Sequence, residues 1–559
     1  MTEHRWFKSY DPQVPLHLDY PDLDIHALVR RKADQLPDKA ALKFMGLTLT
    51  YGRLFDQVDR LATVLSKRGI KAGDRVVLLM PNCPQFVISF YALMRLGATA
   101  VLANPLNVER ELVFKFQDSG AKALIVLDLL SQRVNNIKKQ VTLELIVYTS
   151  LADFLPFPLN LLYPIKRGLD KTMPKVVIER DAHTVMLKEL LKEQDAPPVV
   201  KIDPREMAVL IYSGGTTGVS KGIMLSHQAL VANATQVCAW GNLNGQDSLL
   251  AVLPLFHGFG MSVCMNGPLS HGGTVILLPR FNAQEVCRAI NKERPTIFAG
   301  VPTMFIAIKE LPDIDKYDLK SLRGIFVGAA PLPLAVMEEF SQRTGAALIE
   351  GYGLTEAVTA VACNPFLGTR KPGTIGIPFP DVEWKIVDLA DGVTEMPIGQ
   401  AGEIILRGPD LMMGYLNLPD KTAETLKDGW LFTGDIGVMD EDGYITLVDR
   451  KKDLVIIGGF NVFPSEVDEV LHQHPQVAEA VAVGLPHPRK GEYLKAYVVP
   501  KAGQQIDPQE VIAFCQDNLT PYMVPREVEV RAELPKSMIG KVLRRSLREE
   551  EEAKWRQKA

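Results

Sequence analysis

The chain has 559 residues, too many for one ordinary hydrophobic core, so two or more domains are expected. Hydrophobic residues make up 47% and charged residues 23%, the balance of a globular protein, and a net charge of −4 argues against nucleic acid as a partner. Six scattered cysteines (Cys83, Cys238, Cys264, Cys287, Cys363, Cys515) form no CxxC pair, which fits a reducing, cytoplasmic setting and neither a zinc site nor a disulfide framework.

The amino-terminal stretch lacks the apolar core of a signal peptide. Residues 27–127 alternate helical and strand-like segments. A helix is expected at 51–68, a strand at 75–80, a helix at 84–96 and a strand at 122–127, the pattern of βαβ units on a mostly parallel sheet. Residues 129–200 are less regular. Within them FLPFPLNLLYPI, 154–165, is apolar and rich in proline, and reads either as a packed surface excursion or as a patch that touches a membrane. At 209–225 the sequence reads strand, tight loop, strand, with a helix starting near Ser226. The loop holds Ser213, Gly214, Gly215, Thr216, Thr217 and Gly218, then Lys221. Glycines let backbone amides approach an anion and hydroxyls add donors, so such a loop can cradle phosphates. It is not a Walker A loop, because Lys221 is preceded by Ser220 and followed by Gly222.

From 248 to 279 there is no Asp, Glu, Lys or Arg. The length imitates a membrane span, but its prolines, histidines and glycines should break it into a buried strand, loop and helix. Further strands are expected at 249–253, 274–278, 297–299, 324–327 and 348–350, with helices at 282–294 and 333–343. After 373 short strands and turns follow, then the charge run 449–453. From 465 the order reads helix, strand, strand, helix, strand, helix. A domain boundary is placed at the charge run, giving 1–450 and 451–559.

Three further stretches carry chemistry. EGYGLTE, 350–356, ends an apolar strand, and ligands bind beyond the carboxyl ends of such strands. There Tyr352 offers a flat face for a base, Thr355 a hydroxyl, and Glu356 a hard oxygen for Mg²⁺. Thr433-Gly434-Asp435, with Asp449-Arg450 after it, offers a carboxylate to ribose hydroxyls. In LPKSMIGKVLRR, 534–545, Lys541 follows a glycine at the start of a basic helix.

SGGTTGVSKG, PLFHGFG, GAAPLP, EGYGLTE, FTGD, DRKKDLVIIGGFNVFPSE and PKSMIGK occur in the order of the adenylate-forming superfamily, which the chain resembles over nearly its whole length. Within that group it is most similar to bacterial long-chain fatty acid–CoA ligases, although Ser213 stands where those more often carry threonine. The resemblance implies an α/β fold with a large multi-subdomain N-terminal region and a small, mobile α+β C-terminal domain. It implies ATP, Mg²⁺ and CoA as co-substrates and cofactors, and a fatty acid converted through acyl-AMP to acyl-CoA. By the resemblance, residues 213–218 and Lys221 hold the β- and γ-phosphates, and Gly328, Ala329, Ala330, Gly351 and Tyr352 line the adenine pocket. Thr355 touches the α-phosphate, Glu356 helps hold Mg²⁺, and Asp435 and Arg450 bind the ribose. His257 sits near the carboxylate, and Lys541 bridges carboxylate and α-phosphate. Lys452 lies in the hinge the resemblance places near 450–453, and Gly459 in the pantetheine-contacting loop. Phe259, Met261, Val263 and Met265, in the uncharged run around His257, are expected to wall the acyl pocket. A ligase for an aromatic or short-chain acid, a fatty acyl-AMP ligase and an inactive acyl- or nucleotide-binding module stay open as alternatives, as do a homodimer and peripheral membrane association.

Overall fold

Apolar runs with no polar alternation make strands that are covered on both faces, the mark of a parallel sheet inside an α/β protein. Such runs build two sheets here. The computed structural model describes residues 4–170, 173–213, 220–457, 460–487, 491–536 and 542–558. The chain forms two compact units, one of Met1–Glu383 with Arg407–Leu431, the other of Trp384–Leu406 with Phe432–Ala559.

In the first unit an eight-stranded sheet runs, from one edge, Gly414–Tyr415, Lys221–Ser226, Met207–Ser213, Thr99–Leu102, Arg75–Leu79, Ala123–Leu127, Leu145–Thr149, Thr184–Met186. It is parallel from Met207–Ser213 onward. Lys221–Ser226 folds back antiparallel, with Ser213 opposite Lys221. The nine-stranded sheet has Ala347–Gly353, Gly324–Val327, Ile297–Gly300, Ser248–Ala251, Thr274–Leu277 and Ala40–Phe44 as its parallel centre. The helix His227–Trp240 contacts strands of both sheets. It is apolar on nearly every side, as a helix buried all round must be. Ser226 caps it, its hydroxyl accepting from the Ala229 N–H, so the strand expected before the loop and the strand and helix expected after it are observed.

The uncharged run breaks as expected. It gives a strand Ser248–Ala251, a π-helix Gly260–Asn266, a short helix Gly267–Ser270 and a strand Thr274–Leu277. Among the described residues no helix is long and apolar enough to cross a membrane. A helix not foreseen, Leu159–Leu169, occupies the apolar stretch after residue 157, with Pro164 inside it.

In the second unit, Phe460–Val462, Val455–Ile457, Gly491–Pro500 and Val477–His487 pair in that order, and Glu527–Val530 lies parallel to Gly491–Pro500. Helices Pro464–Gln473 and Pro508–Asn518 contribute Val467, Leu471, Val511 and Cys515 to its core. The expected helix and strand order after 465 is observed, and Val455–Ile457 with Phe460–Val462 is an additional hairpin. The architecture is thus α/β with a large N-terminal and a small C-terminal domain.

Candidate active site

The hairpin of Met207–Ser213 and Lys221–Ser226 sets Ser213 opposite Lys221, and its partners follow from the edge strand beside it. Gly414–Tyr415 pairs antiparallel with Lys221–Ser226, Tyr415 opposite Ile223. Leu416 N–H donates to the Gly222 carbonyl (2.7 Å) and Met413 N–H to that of Met224 (2.8 Å). This register sets the Tyr415 ring under the Lys221 ammonium, 4.5 Å from the ring centroid, a cation–π contact. The Tyr415 hydroxyl donates to Glu356 Oε1 at 2.9 Å, and Met412 N–H donates to the Glu356 carbonyl at 2.7 Å. Burial, then the Glu356 carboxylate, raises the Tyr415 pKa, so the phenol stays a donor. Tyr415 therefore joins Lys221, expected to hold phosphates, to Glu356, the carboxylate expected to hold Mg²⁺. Nothing in the sequence marked it, since the pairing that places it spans about two hundred residues of chain.

Thr355 and Glu356 sit on a single turn, Thr355–Ala357, at the end of the strand Ala347–Gly353. Val358 follows with φ +59, a strained conformation for a β-branched residue, the kind that persists where surrounding structure enforces it. The enforcement is visible. A Cβ on Gly353 would lie 1.7 Å from the Thr359 carbonyl oxygen, and one on Gly258 would lie 2.1 Å from that of Val358. The His257 loop and the Thr355 loop thus touch backbone to backbone.

In that first loop, Asn82 accepts from Leu255 N–H at 2.8 Å and donates to the carbonyls of Ala251 and Leu253. His257 Nδ1 accepts from the Phe259 N–H at 3.2 Å, which leaves the proton on Nε2. The ring is open to solvent although set deep in the protein, and desolvation there lowers its pKa. Phe259 packs on the next motif, since a Cβ on Gly328 would lie 2.8 Å from its ring. Ala329 adopts φ +72. The buried Glu350 accepts from Leu332 N–H at 3.0 Å and Gly373 N–H at 3.3 Å, and so ties the segment after Ala330 to the strand that carries Gly351 and the buried Tyr352. Glu350 opens the marked stretch 350–356, but the bonds it makes to Leu332 and Gly373 were not readable from the sequence.

Met261, Val263 and Met265 are all buried on the π-helix Gly260–Asn266. π-turns are rare and concentrate at functional sites. This one is held by polar contacts: Ser262 Oγ donates to Asn233 Oδ1 (2.5 Å), Asn233 Nδ2 to Asp410 Oδ2 (3.0 Å), and the Tyr91 hydroxyl to Asn266 Oδ1 (2.8 Å). Burial pushes the Asp410 carboxyl up to about 7.

In the second unit, Asp435 and Arg450 face each other across an antiparallel pair, Arg450 Nε 3.2 Å from Asp435 Oδ1. Lys451 pairs with Glu403 at 2.7 Å, and its N–H donates to the Gly434 carbonyl at 2.8 Å. Lys452 lies in the following turn, where desolvation and then the Arg450 charge lower its pKa. Arg544 bonds Asp468 and, at 3.2 Å, Ser465 Oγ, which anchors the chain three residues beyond Lys541. Gly214, Gly215, Thr216, Thr217, Gly218, Gly459 and Lys541 lie outside the described residues.

Two sheets with parallel centres, and the Glu356 carboxylate at a strand end tied through Tyr415 to the hairpin at Lys221, give the frame of an α/β enzyme whose ligand sits beyond its strand ends. Residues 29–416 match the AMP-binding enzyme family and residues 466–541 the AMP-binding enzyme C-terminal domain, and the chain belongs to that family. It is 40% identical over 555 residues to a long-chain-fatty-acid–CoA ligase of Bacillus subtilis (strain 168), covering 98% of each chain. It is 36% identical over 569 residues to a protein of the same name from Escherichia coli O6:H1, covering 99% of each. The ATP-bound crystal structure of MatB from Rhodopseudomonas palustris superposes with a TM-score of 0.81 at 29% identity, over 94% of this chain and 99% of that one.

Proposed function

We propose that this enzyme is an AMP-forming acid–thiol ligase that converts a medium- or long-chain fatty acid to its CoA thioester. The observation that carries the reading is the Lys221–Tyr415–Glu356 chain, which links the phosphate hairpin to a hard-oxygen ligand, in a chain that matches such ligases from end to end. In the first step a carboxylate oxygen attacks the α-phosphorus of ATP, the bond to the β-phosphate bridging oxygen breaks, and pyrophosphate leaves. In the second the CoA thiol loses its proton and attacks the acyl carbonyl, and AMP leaves with the C–O bond electrons.

Two anions must meet, so fixed positive charge and oriented donors where charge develops are the main requirement. Lys221 and the loop 213–218 take the β- and γ-phosphates, and Thr355 the α-phosphate. Glu356 fits Mg²⁺, its carboxylate being the oxygen donor that ion prefers. Among the described residues no three acidic, His or Cys side chains gather, so Glu356 would hold the ion together with the nucleotide's own phosphates. The ion supplies charge neutralisation at the triphosphate. His257, with its proton on Nε2, faces the carboxylate. Gly328, Ala329, Ala330, Gly351 and Tyr352 take adenine, and Asp435 and Arg450 the ribose. Lys541 serves adenylation, and rotation of 451–559 about Lys452 replaces it with Gly459 for thioester formation. The described cysteines are all free and buried, which suits a reducing cytoplasm.

Fatty-acid-driven exchange of pyrophosphate into ATP tests the reading. Exchange is expected with palmitate and should vanish in Lys541→Ala, while that variant still makes thioester from supplied acyl-AMP. A protein that binds ATP and acid without exchange is a binding module, and the reading fails.

A further inference from the structure

The helix Leu159–Leu169 is amphipathic the wrong way round. Asn160, Tyr163 and Arg167, spaced three and four apart, share one face. That face is turned to the protein: Asn160 Oδ1 is buried, burial raises the Tyr163 pKa, and Arg167 donates to the buried Asp128 at 2.7 Å. The other face carries Leu159, Leu161, Leu162, Ile165 and Leu169, all exposed, with exposed Phe157 just before them. No residue of the helix is buried. Of 23 large apolar side chains exposed among the described residues, six fall within these thirteen positions, so the clustering is local. Gly46 abuts Pro156, and the exposed Met45 next to it borders the same patch.

Charge narrows the choice of what covers it. Residues 155–180 hold five cationic side chains against two acidic ones, in a chain whose net charge is −4, and with Arg167 already paired to Asp128 four remain against two. Lys166 and Lys175 are exposed. A helix with leucines outward and a basic rim is the composition that lies in the interface of an anionic bilayer, apolar side down. A second copy would bring the same positive charge against itself. One helix about 16 Å long also falls short of the roughly 800 Å² per partner that a stable dimer buries.

We propose that residues 157–169 form a membrane-docking surface that inserts its leucine face into the headgroup region of an anionic lipid bilayer. The proposal concerns a surface and stands apart from the reaction assigned above. Flotation of the full chain with vesicles of phosphatidylglycerol and phosphatidylethanolamine tests it, with pure phosphatidylcholine vesicles as comparison. Binding to the anionic vesicles is expected to be at least roughly tenfold tighter than to phosphatidylcholine and to weaken in high salt. Leu162→Glu/Ile165→Glu should lose it by about tenfold or more, and Lys166→Glu/Lys175→Glu should weaken it and flatten the salt dependence. Leu162→Trp places a reporter in the patch, and its emission should shift to the blue on anionic vesicles. Equal binding to both lipids, unchanged binding by the glutamate variant, or unshifted emission while the protein floats would each overturn the proposal. So would a wild-type dimer by light scattering that the glutamate variant splits, since the patch would then join two copies.

Discussion

Two apolar stretches of the first unit, 248–279 and 157–169, are similar in lettering and opposite in fate. In the first, the π-helix carries Met261, Val263 and Met265, all buried. In the second, Leu161, Leu162 and Ile165 are more than half exposed. Topology makes the difference. The first stretch connects Ser248–Ala251 to Thr274–Leu277, adjacent strands inside the nine-stranded sheet, and whatever joins central strands is enclosed by their neighbours. The second lies in the connection from Leu145–Thr149 to Thr184–Met186, the last crossing to an outer edge, where nothing lies beyond it in the sheet. Apolar composition alone does not decide burial. Position in the strand order does.

The comparison is broken most strongly at Gly260. A Cβ there would sit 2.1 Å from the Pro254 carbonyl oxygen, a backbone atom that cannot swing aside. Gly260→Ala should cost roughly 2–4 kcal/mol, read as a large drop in melting temperature. An unchanged melt would mean the π-helix is loosely held.

Asp410, which holds the same helix through Asn233, gives a pH signature. Its folded-state pKa is raised to about 7 from 3.8, so the folded protein keeps a proton that the unfolded chain has released. Stability contributed at this site falls as pH rises from 3.8 to about 7, then levels off. Asp410→Asn cannot ionise. It should melt higher than wild type above pH 7, by roughly 2 kcal/mol (about half the full linkage, since a buried site relaxes). The gap should close toward pH 4. A gap independent of pH would show that the carboxyl is ionised in the fold.

Smaller still is the effect of Met261→Trp, which adds bulk to the expected pocket wall. It should move the chain-length preference toward shorter acids by roughly tenfold per few methylenes, about 1.4 kcal/mol. ATP affinity should stay nearly unchanged. An unmoved profile would remove this run from the pocket. At the far end of the scale, Leu162→Glu/Ile165→Glu should change stability by no more than about 0.5 kcal/mol, because both side chains already face solvent. A marked destabilisation would mean the outer face is packed after all.

Much of this was readable from the chain. Continuous apolar runs such as 76–79 and 325–327 pointed to buried strands, and Ser226 marked where the helix after the second hairpin strand begins. The order of elements after 465 was equally plain, because short periodic segments there are separated by Pro and Gly. What escaped was whatever depends on contacts between distant segments. Tyr415 reaches Lys221 and Glu356 only through strand pairing, Glu350 reads as one more acidic residue until Leu332 N–H is seen donating to it, and the strain at Val358 is imposed by neighbours. The helix Leu159–Leu169 was missed for a different reason. Pro156, Pro158 and Pro164 read as breakers of a helix there, although the surface reading of 154–165 already allowed its leucines to face out.

The central claim is that the buried, uncharged stretch receives a fatty acyl chain. AMP release with CoA, scored across acids from acetate to oleate and including coumarate, tests it most directly. Each buried methylene contributes roughly 0.8 kcal/mol, while neighbouring lengths are separated by only about 1–3 kcal/mol at most. The account therefore predicts a broad maximum in kcat/KM over medium to long chains, with acetate and dicarboxylic acids poor. Acetate or coumarate outperforming palmitate would contradict it.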